Sequence, residues 1–149
     1  METPIEVVRR FCAAWSSDMG TDGLAAFFTD DAVYHNMPFS PVTGRKNIAE
    51  NIDSFIRPGP PSIEGIDFQV INIAADGPVV MTERFDVFKL ADTSFGLPVM
   101  GTFEVRDGKI NAWRDYFDTN QFTSQMGDHP STLRGERSRR TPNIERARA

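Results

Sequence analysis

The order of patterns along the chain predicts an α+β fold, with helices segregated to one side of a largely antiparallel sheet. Two observations carry this expectation. Over the first 56 residues apolar side chains recur mainly at helical spacing, whereas 64–118 is rich in Val, Ile and Phe interrupted by turn residues. The 149-residue length, with 40% hydrophobic residues, suits one domain that buries a sizeable core.

The elements follow in order. Thr3-Pro4-Ile5-Glu6 pairs a capping box (Thr3, Glu6) with proline at the first helical position. Ile5, Val8, Phe11, Cys12 and Trp15 then mark the inward face of a helix over roughly residues 4–17. Thr21 opens a shorter helix through Phe28, and Asp30-Asp31 lead into a strand at Ala32–Met37 that Pro38 and Pro41 end. A third helix fits Arg45–Ile56, with Ile48, Ile52, Phe55 and Ile56 inward, and the RPGPP stretch at 57–61 stops it. Strands near 64–74, 77–90, 95–106 and 109–118 then form an antiparallel meander. Its turns are Asp76-Gly77-Pro78, Ala91-Asp92-Thr93 and Asp107-Gly108, the last a strong two-residue hairpin signal.

Composition narrows the function. The net charge is −5, which gives no global attraction to nucleic acid or to an anionic membrane surface. The charge is unevenly divided: residues 1–126 hold 10 Lys and Arg against 18 Asp and Glu, and 127–149 hold six Arg against three acids. The expected organisation is therefore one domain over 1–126 and an Arg-rich tail over 127–149. A single cysteine, Cys12, excludes an internal disulfide and a cysteine-based metal cluster, and its helical position reads as a core thiol. No run approaches the ~20 apolar residues that a spanning helix needs. METPIEVVRRF also lacks a signal-peptide pattern, so a cytoplasmic protein without a membrane partner is the expectation. No P-loop, G-x-G-x-x-G fingerprint or G-x-S-x-G elbow is present, and His35 and His129 have no metal-ligand spacing. Neither a nucleotide-cofactor fingerprint nor a zinc site is therefore expected.

Three polar interruptions of apolar strands point to a site. Tyr34 and Asn36 lie in VYHNM, Arg84 and Asp86 in MTERFDVF, and Asp115 in AWRDYFD. Residues i and i+2 of a strand share a face, so Tyr34 joins Asn36 and Arg84 joins Asp86, while His35 faces away. Charges among Val, Phe, Met and Trp are costly unless paired or put to use. An arginine between two carboxylates leaves the trio at net −1. One carboxylate can then stay ionised while the other is pushed up towards holding a proton near neutrality. Such a pair can take a proton from water and deliver one to a substrate, and Tyr34 and Asn36 have the donors and acceptors to hold that water. By spacing alone, a buried Arg–Asp ion pair with Asp115 capping a turn fits equally well. Met37, Leu97, Met100 and Phe117 flank the polar residues and are candidates for an apolar substrate wall.

At these residues the sequence resembles the limonene-1,2-epoxide hydrolases. VYHNMPFSP, MTERFDVF and MGTFEVRDGKINAWRDYFD look like the corresponding family segments, in order, over about residues 5–122. The resemblance implies a cone-shaped NTF2-like, SnoaL-like (cystatin-like) α+β fold: a strongly curved, mixed or antiparallel sheet with about three helices from the N-terminal half packed on it. It implies Asp115 as general base on a water held by Tyr34 and Asn36, Asp86 as proton donor to the epoxide oxygen, and Arg84 as the bridge between the aspartates. It further implies cofactor-free, one-step opening of a small apolar or cyclic, terpene-like epoxide to a vicinal diol, and a homodimer. Two other functions are open to the same fold. One is an isomerase or cyclase of SnoaL-like or ketosteroid-isomerase-like type with an aspartate base, and the other a non-catalytic binding module.

Overall fold

The computed structural model describes residues 1–56 and 63–127. Met1–Asp118 form one compact unit and Thr119–Ala149 a second. The first unit contains, in order, helices α1 (Pro4–Ala14) and α2 (Gly20–Ala25), strands β1 (Phe28–Asn36) and β2 (Val42–Thr43), and helix α3 (Arg45–Phe55). Strands β3 (Gly65–Asp76), β4 (Val79–Lys89), β5 (Ser94–Arg106) and β6 (Lys109–Tyr116) follow. In the second unit the described part is one helix, α4 (Thr119–Gly127). The RPGPP stretch and the Arg-rich tail past Gly127 lie outside the described residues.

All six strands form one mixed sheet in the order β2-β1-β6-β5-β4-β3. The expected meander is present as successive antiparallel pairs from β3 to β6. The β5–β6 turn places both Asp107 (φ 52°) and Gly108 (φ 76°) in left-handed conformations, the type I′ geometry whose twist matches flanking strands. β1 joins the far side of β6 as a parallel neighbour, with Tyr34 opposite Trp113 and Asn36 opposite Asp115. Register shifts in the β1–β6, β3–β4 and β5–β6 pairs bend the sheet locally, as bulges do.

α1 begins on the expected capping box: the Glu6 N–H donates to Thr3 Oγ1 at 3.3 Å, and the Thr3 N–H donates to Glu6 Oε2 at 2.6 Å. Its buried face, with Val7, Val8, Phe11 and Cys12, packs on β3 to β6. Phe11 meets Phe28, Phe103 and Trp113 edge-on, with ring centroids 5.4, 5.9 and 5.1 Å away. Cys12 is buried, and burial pushes its thiol up to about 12, so it is the core thiol expected.

Besides the first helix, which ends at Ala14 rather than near residue 17, two boundaries depart from the sequence reading. The second helix ends at Ala25 rather than Phe28, and Phe28 instead opens β1, where it pairs with Ile110 and contributes its ring to the core. Tertiary burial of that ring overrides the local helical pattern. The strand consequently starts four residues before Ala32; its Asp30 and Asp31 remain exposed and pair with Arg45 and Arg106. β2 and α4 have no counterpart in the sequence reading. β2 is two residues long, and the polar TNQFTSQMG carries little apolar periodicity. No helix among the described residues is long and apolar enough to cross a membrane.

Candidate active site

β4 positions the centre of the site by its alternation. Val80, Thr82, Arg84, Asp86 and Phe88 are all buried on one face of the strand. The inward face of β5 supplies Leu97 opposite Asp86, Val99 opposite Arg84 and Gly101 opposite Thr82. β6 adds Trp113 and Asp115, the latter opposite Gly101. β1 completes the row with Tyr34 beside Trp113 and Asn36 beside Asp115. Side chains of paired residues share a sheet face, so five strands, β1 and β3 to β6, present their inward residues to one interior.

Arg84 is the hub. It is 1% exposed, and its guanidinium makes five hydrogen bonds. Nε and Nη2 donate to Asp86 Oδ1 and Oδ2 at 3.0 and 2.8 Å, a bidentate pair. Nη1 and Nη2 donate to Asp115 Oδ1 and Oδ2 at 3.1 and 2.8 Å, a second bidentate pair on the next edge of the fork. Nη1 also donates to Thr82 Oγ1 at 3.3 Å. The Phe68 ring covers the guanidinium, its centroid 4.4 Å from Cζ. With every N–H engaged, Arg84 has no donor left for a substrate, and it acts by holding the two aspartates.

The carboxylates differ. Asp115 accepts a third hydrogen bond, from Trp113 Nε1 at 2.7 Å. Among the described residues Asp86 accepts two bonds, both from Arg84, and burial pushes its carboxyl up to about 6 against the pull of Arg84, with the charge of Asp115 adding to the rise. Asp86 is thus a carboxyl that takes up a proton just below neutrality. The Tyr34 ring stacks on Trp113 with centroids 4.2 Å apart, and its hydroxyl lies near the Asn36 side chain. Burial, together with the nearby Asp115 charge, raises Tyr34 well above its usual value, so it stays a neutral hydroxyl. Arg84 is likewise raised, its carboxylate partners outweighing the opposing effect of burial.

The structure therefore gathers Arg84, Asp86, Asp115, Tyr34 and Asn36 on one face. His35 lies on the other, where Nε2 meets the Phe39 carbonyl at 2.8 Å. Of the four expected wall residues, Leu97 is buried beside Asp86. Met37 and Phe117 are half-buried just past the ends of β1 and β6. Met100 requires a correction. It pairs with Glu83 and Tyr116, each one residue from the inward Arg84 and Asp115 and so on the outer face, and is 49% exposed, so the alternation turns it away from the cluster. The sequence reading passed over Trp113, Thr82, Phe68 and Gly101. The first two stand two residues from Asp115 and Arg84, the same-face signal used for the others; the last two depend on register between strands. Among the described residues no three His, Cys, Asp or Glu side chains assemble as a metal site.

A family model for the limonene-1,2-epoxide hydrolase catalytic domain matches residues 2–127, and so spans this whole constellation. The chain belongs to the limonene-1,2-epoxide hydrolase family. A relative described as epoxide hydrolase EphG, from Mycobacterium tuberculosis, is 37% identical over 97 residues. Those residues are 65% of this chain and 62% of the relative, so the match spans less than two thirds of that protein's length. A solved M. tuberculosis limonene-epoxide-hydrolase-like epoxide hydrolase superposes with a TM-score of 0.70 at 32% identity, covering 83% of this chain and 84% of that one. A hypothetical protein with a ketosteroid isomerase-like fold from Catenulispora acidiphila superposes at 0.71 with 22% identity, covering 85% and 95%, and speaks to the fold alone. This family member has the NTF2-like, SnoaL-like α+β fold that its neighbours share.

Proposed function

We propose that this chain is a cofactor-independent epoxide hydrolase that opens its substrate in one step. A water between Asp115, Tyr34 and Asn36 gives a proton to Asp115 as its oxygen attacks an epoxide carbon. The carbon–oxygen bond on the far side breaks, and Asp86 delivers its proton to the departing oxygen. The product is a vicinal diol, with Asp115 protonated and Asp86 ionised. Transfer of one proton from Asp115 to Asp86 restores the starting state, so epoxide and water are the only reactants. The observation that carries this is a single buried guanidinium holding two carboxyls of different character beside a Tyr–Asn pair. General acid–base assistance of this kind is worth roughly 10²–10⁴-fold for each proton transfer.

Leu97 beside Asp86, the aromatic interior and the half-buried Met37 and Phe117 favour a small apolar or cyclic, terpene-like epoxide over a sugar or nucleotide. Limonene oxide and cyclohexene oxide are suitable probes. Diol formation from either, abolished by Asp115→Asn and by Asp86→Asn in folded protein, is the expected result. Proton exchange on an enolisable ketone with no diol from any epoxide would instead indicate an aspartate-based isomerase.

Homodimerisation belongs to the same proposal. The outer sheet face exposes Met81, Phe85, Met100 and Tyr116, large apolar groups that pairing would cover. Sedimentation at micromolar concentration tests this: a dimer that Met100→Glu dissociates is expected, and a monomeric parent chain contradicts it.

A further inference from the structure

Arg84 and Asp115 are not on neighbouring strands. β5 lies between β4 and β6, so the two backbones stand about 9–10 Å apart, twice the usual strand spacing. The guanidinium must cross over β5 to reach Asp115, and the residue beneath the crossing is Gly101, register partner of both Thr82 and Asp115. A Cβ built at position 101 would lie 2.6 Å from Asp115 Oδ1 and 3.0 Å from Thr82 Oγ1, and closer still to Arg84 Nη1. No real Cβ tolerates such contacts.

A glycine in the middle of a 13-residue strand is otherwise a poor choice, because it gives up packing and conformational restriction. Gly101 is also absent from the glycines with positive φ, so its backbone does not require glycine. What it supplies is the empty space on its inward side. Thr82 fixes how that space is used: its hydroxyl donates to the Gly101 carbonyl at 3.2 Å and accepts from Arg84 Nη1 at 3.3 Å. The guanidinium thus lies across bare backbone with its last N–H occupied.

We propose that Gly101 is a positioning residue for epoxide opening, a deliberate gap in β5 through which Arg84 holds Asp115 and Asp86 in one unit. The atoms that an added methyl group would displace are the tips of Arg84 and Asp115, not backbone. The sheet can therefore survive Gly101→Ala while the bridge between the two aspartates is lost. The inference rests on the epoxide-opening function for its kinetic consequence, while its structural half stands without it.

The test is a double-mutant cycle in the full chain, combining Gly101→Ala with Arg84→Lys and using cyclohexene oxide as substrate. Lysine has no Nη1 at the methyl group's nearest contact, and without the Nη1 bond Asp115 Oδ1 is released to turn away from the methyl group. In the wild-type background Gly101→Ala lowers kcat by about 100-fold or more, with KM within about threefold, as expected for misplacement of a catalytic group by about 1 Å. In the Arg84→Lys background the same change costs less than about threefold. A folded Gly101→Ala protein that keeps wild-type kcat overturns the proposal, as does an equal loss in both backgrounds. Thermal melting supplies a readout that needs no activity. If Gly101→Ala alone fails to fold, Gly101→Ala/Arg84→Lys melts at the temperature of Arg84→Lys; a double variant that also fails to fold places the clash elsewhere and overturns the proposal. A parent chain that makes no diol removes the functional reading but leaves the melting comparison intact, so the two failures are distinguishable.

Discussion

Replacing Asp86 with an asparagine separates the chemistry of the site from its cost in stability. In the folded protein the Asp86 carboxyl is pushed up from 3.8 to about 6, burial being the main cause. The folded state therefore binds a proton more tightly than the unfolded chain. The stability from this difference is fully present below about pH 4 and is lost as pH rises through about 6. Two pH units correspond to about 3 kcal/mol across the whole window, and roughly 1 to 2 kcal/mol of that is lost between pH 5 and pH 8. An amide at this position does not titrate, so Asp86→Asn has no such slope. It carries a fixed cost instead: an amide offers a single acceptor where Arg84 now meets two, which costs about 1–3 kcal/mol for the unmatched donor. That cost is nearly independent of pH. The expected result is a variant clearly less stable than the parent at pH 5, with the gap closing by roughly 1 to 2 kcal/mol at pH 8. Urea denaturation of both proteins at half-unit intervals from pH 5 to pH 8 measures the difference. Parallel stability profiles would refute the assignment of the titrating proton to Asp86.

Three further outcomes follow from the same geometry. Because Asp86 must carry a proton to act as the acid, kcat/KM for an uncharged epoxide falls tenfold per pH unit above about 6, and a flat profile to pH 9 removes Asp86 from that role. Trp113→Phe keeps the ring stacked on Tyr34 but removes the 2.7 Å bond to Asp115; it lowers kcat by about ten- to a hundredfold with KM little changed, and an unchanged kcat shows the bond to be idle. Tyr34→Phe keeps the same stack without the hydroxyl and lowers kcat by a similar factor, whereas a change confined to KM would point to substrate binding instead of water binding.

Much of this was legible in the sequence because β4 alternates strictly and β6 does so from Trp113 to Tyr116. Once Arg84 and Asp86 are two apart in a strand, they share a face whatever the rest of the fold does. The Asp107-Gly108 hairpin then sets β6 back along β5, but it is the one-residue register shift between Glu104 and Val105, not legible in the sequence, that brings Asp115 rather than Arg114 level with Gly101. The same rule, applied strictly, would have turned Met100 outwards, since it is an odd number of residues from Leu97 on β5. What local pattern could not supply was partnership between distant strands. The parallel placement of β1 beside β6, which brings Tyr34 onto Trp113, is a long-range event with no signal in either segment. Phe28 shows the opposite failure, a residue whose helical spacing was real but whose ring is worth more in the core. The demand for empty space at Gly101 likewise emerges only when three strands are laid side by side.

The most direct measurement of the central claim is a single-turnover reaction in ¹⁸O-labelled water, with enzyme in excess over cyclohexene oxide. Direct attack by the water between Asp115, Tyr34 and Asn36 puts label into the diol in the first turnover and none into the protein. An unlabelled first-turnover diol, with label appearing in a carboxyl group of Asp115 or Asp86, would mean that an aspartate attacks the epoxide itself and would contradict one-step hydrolysis.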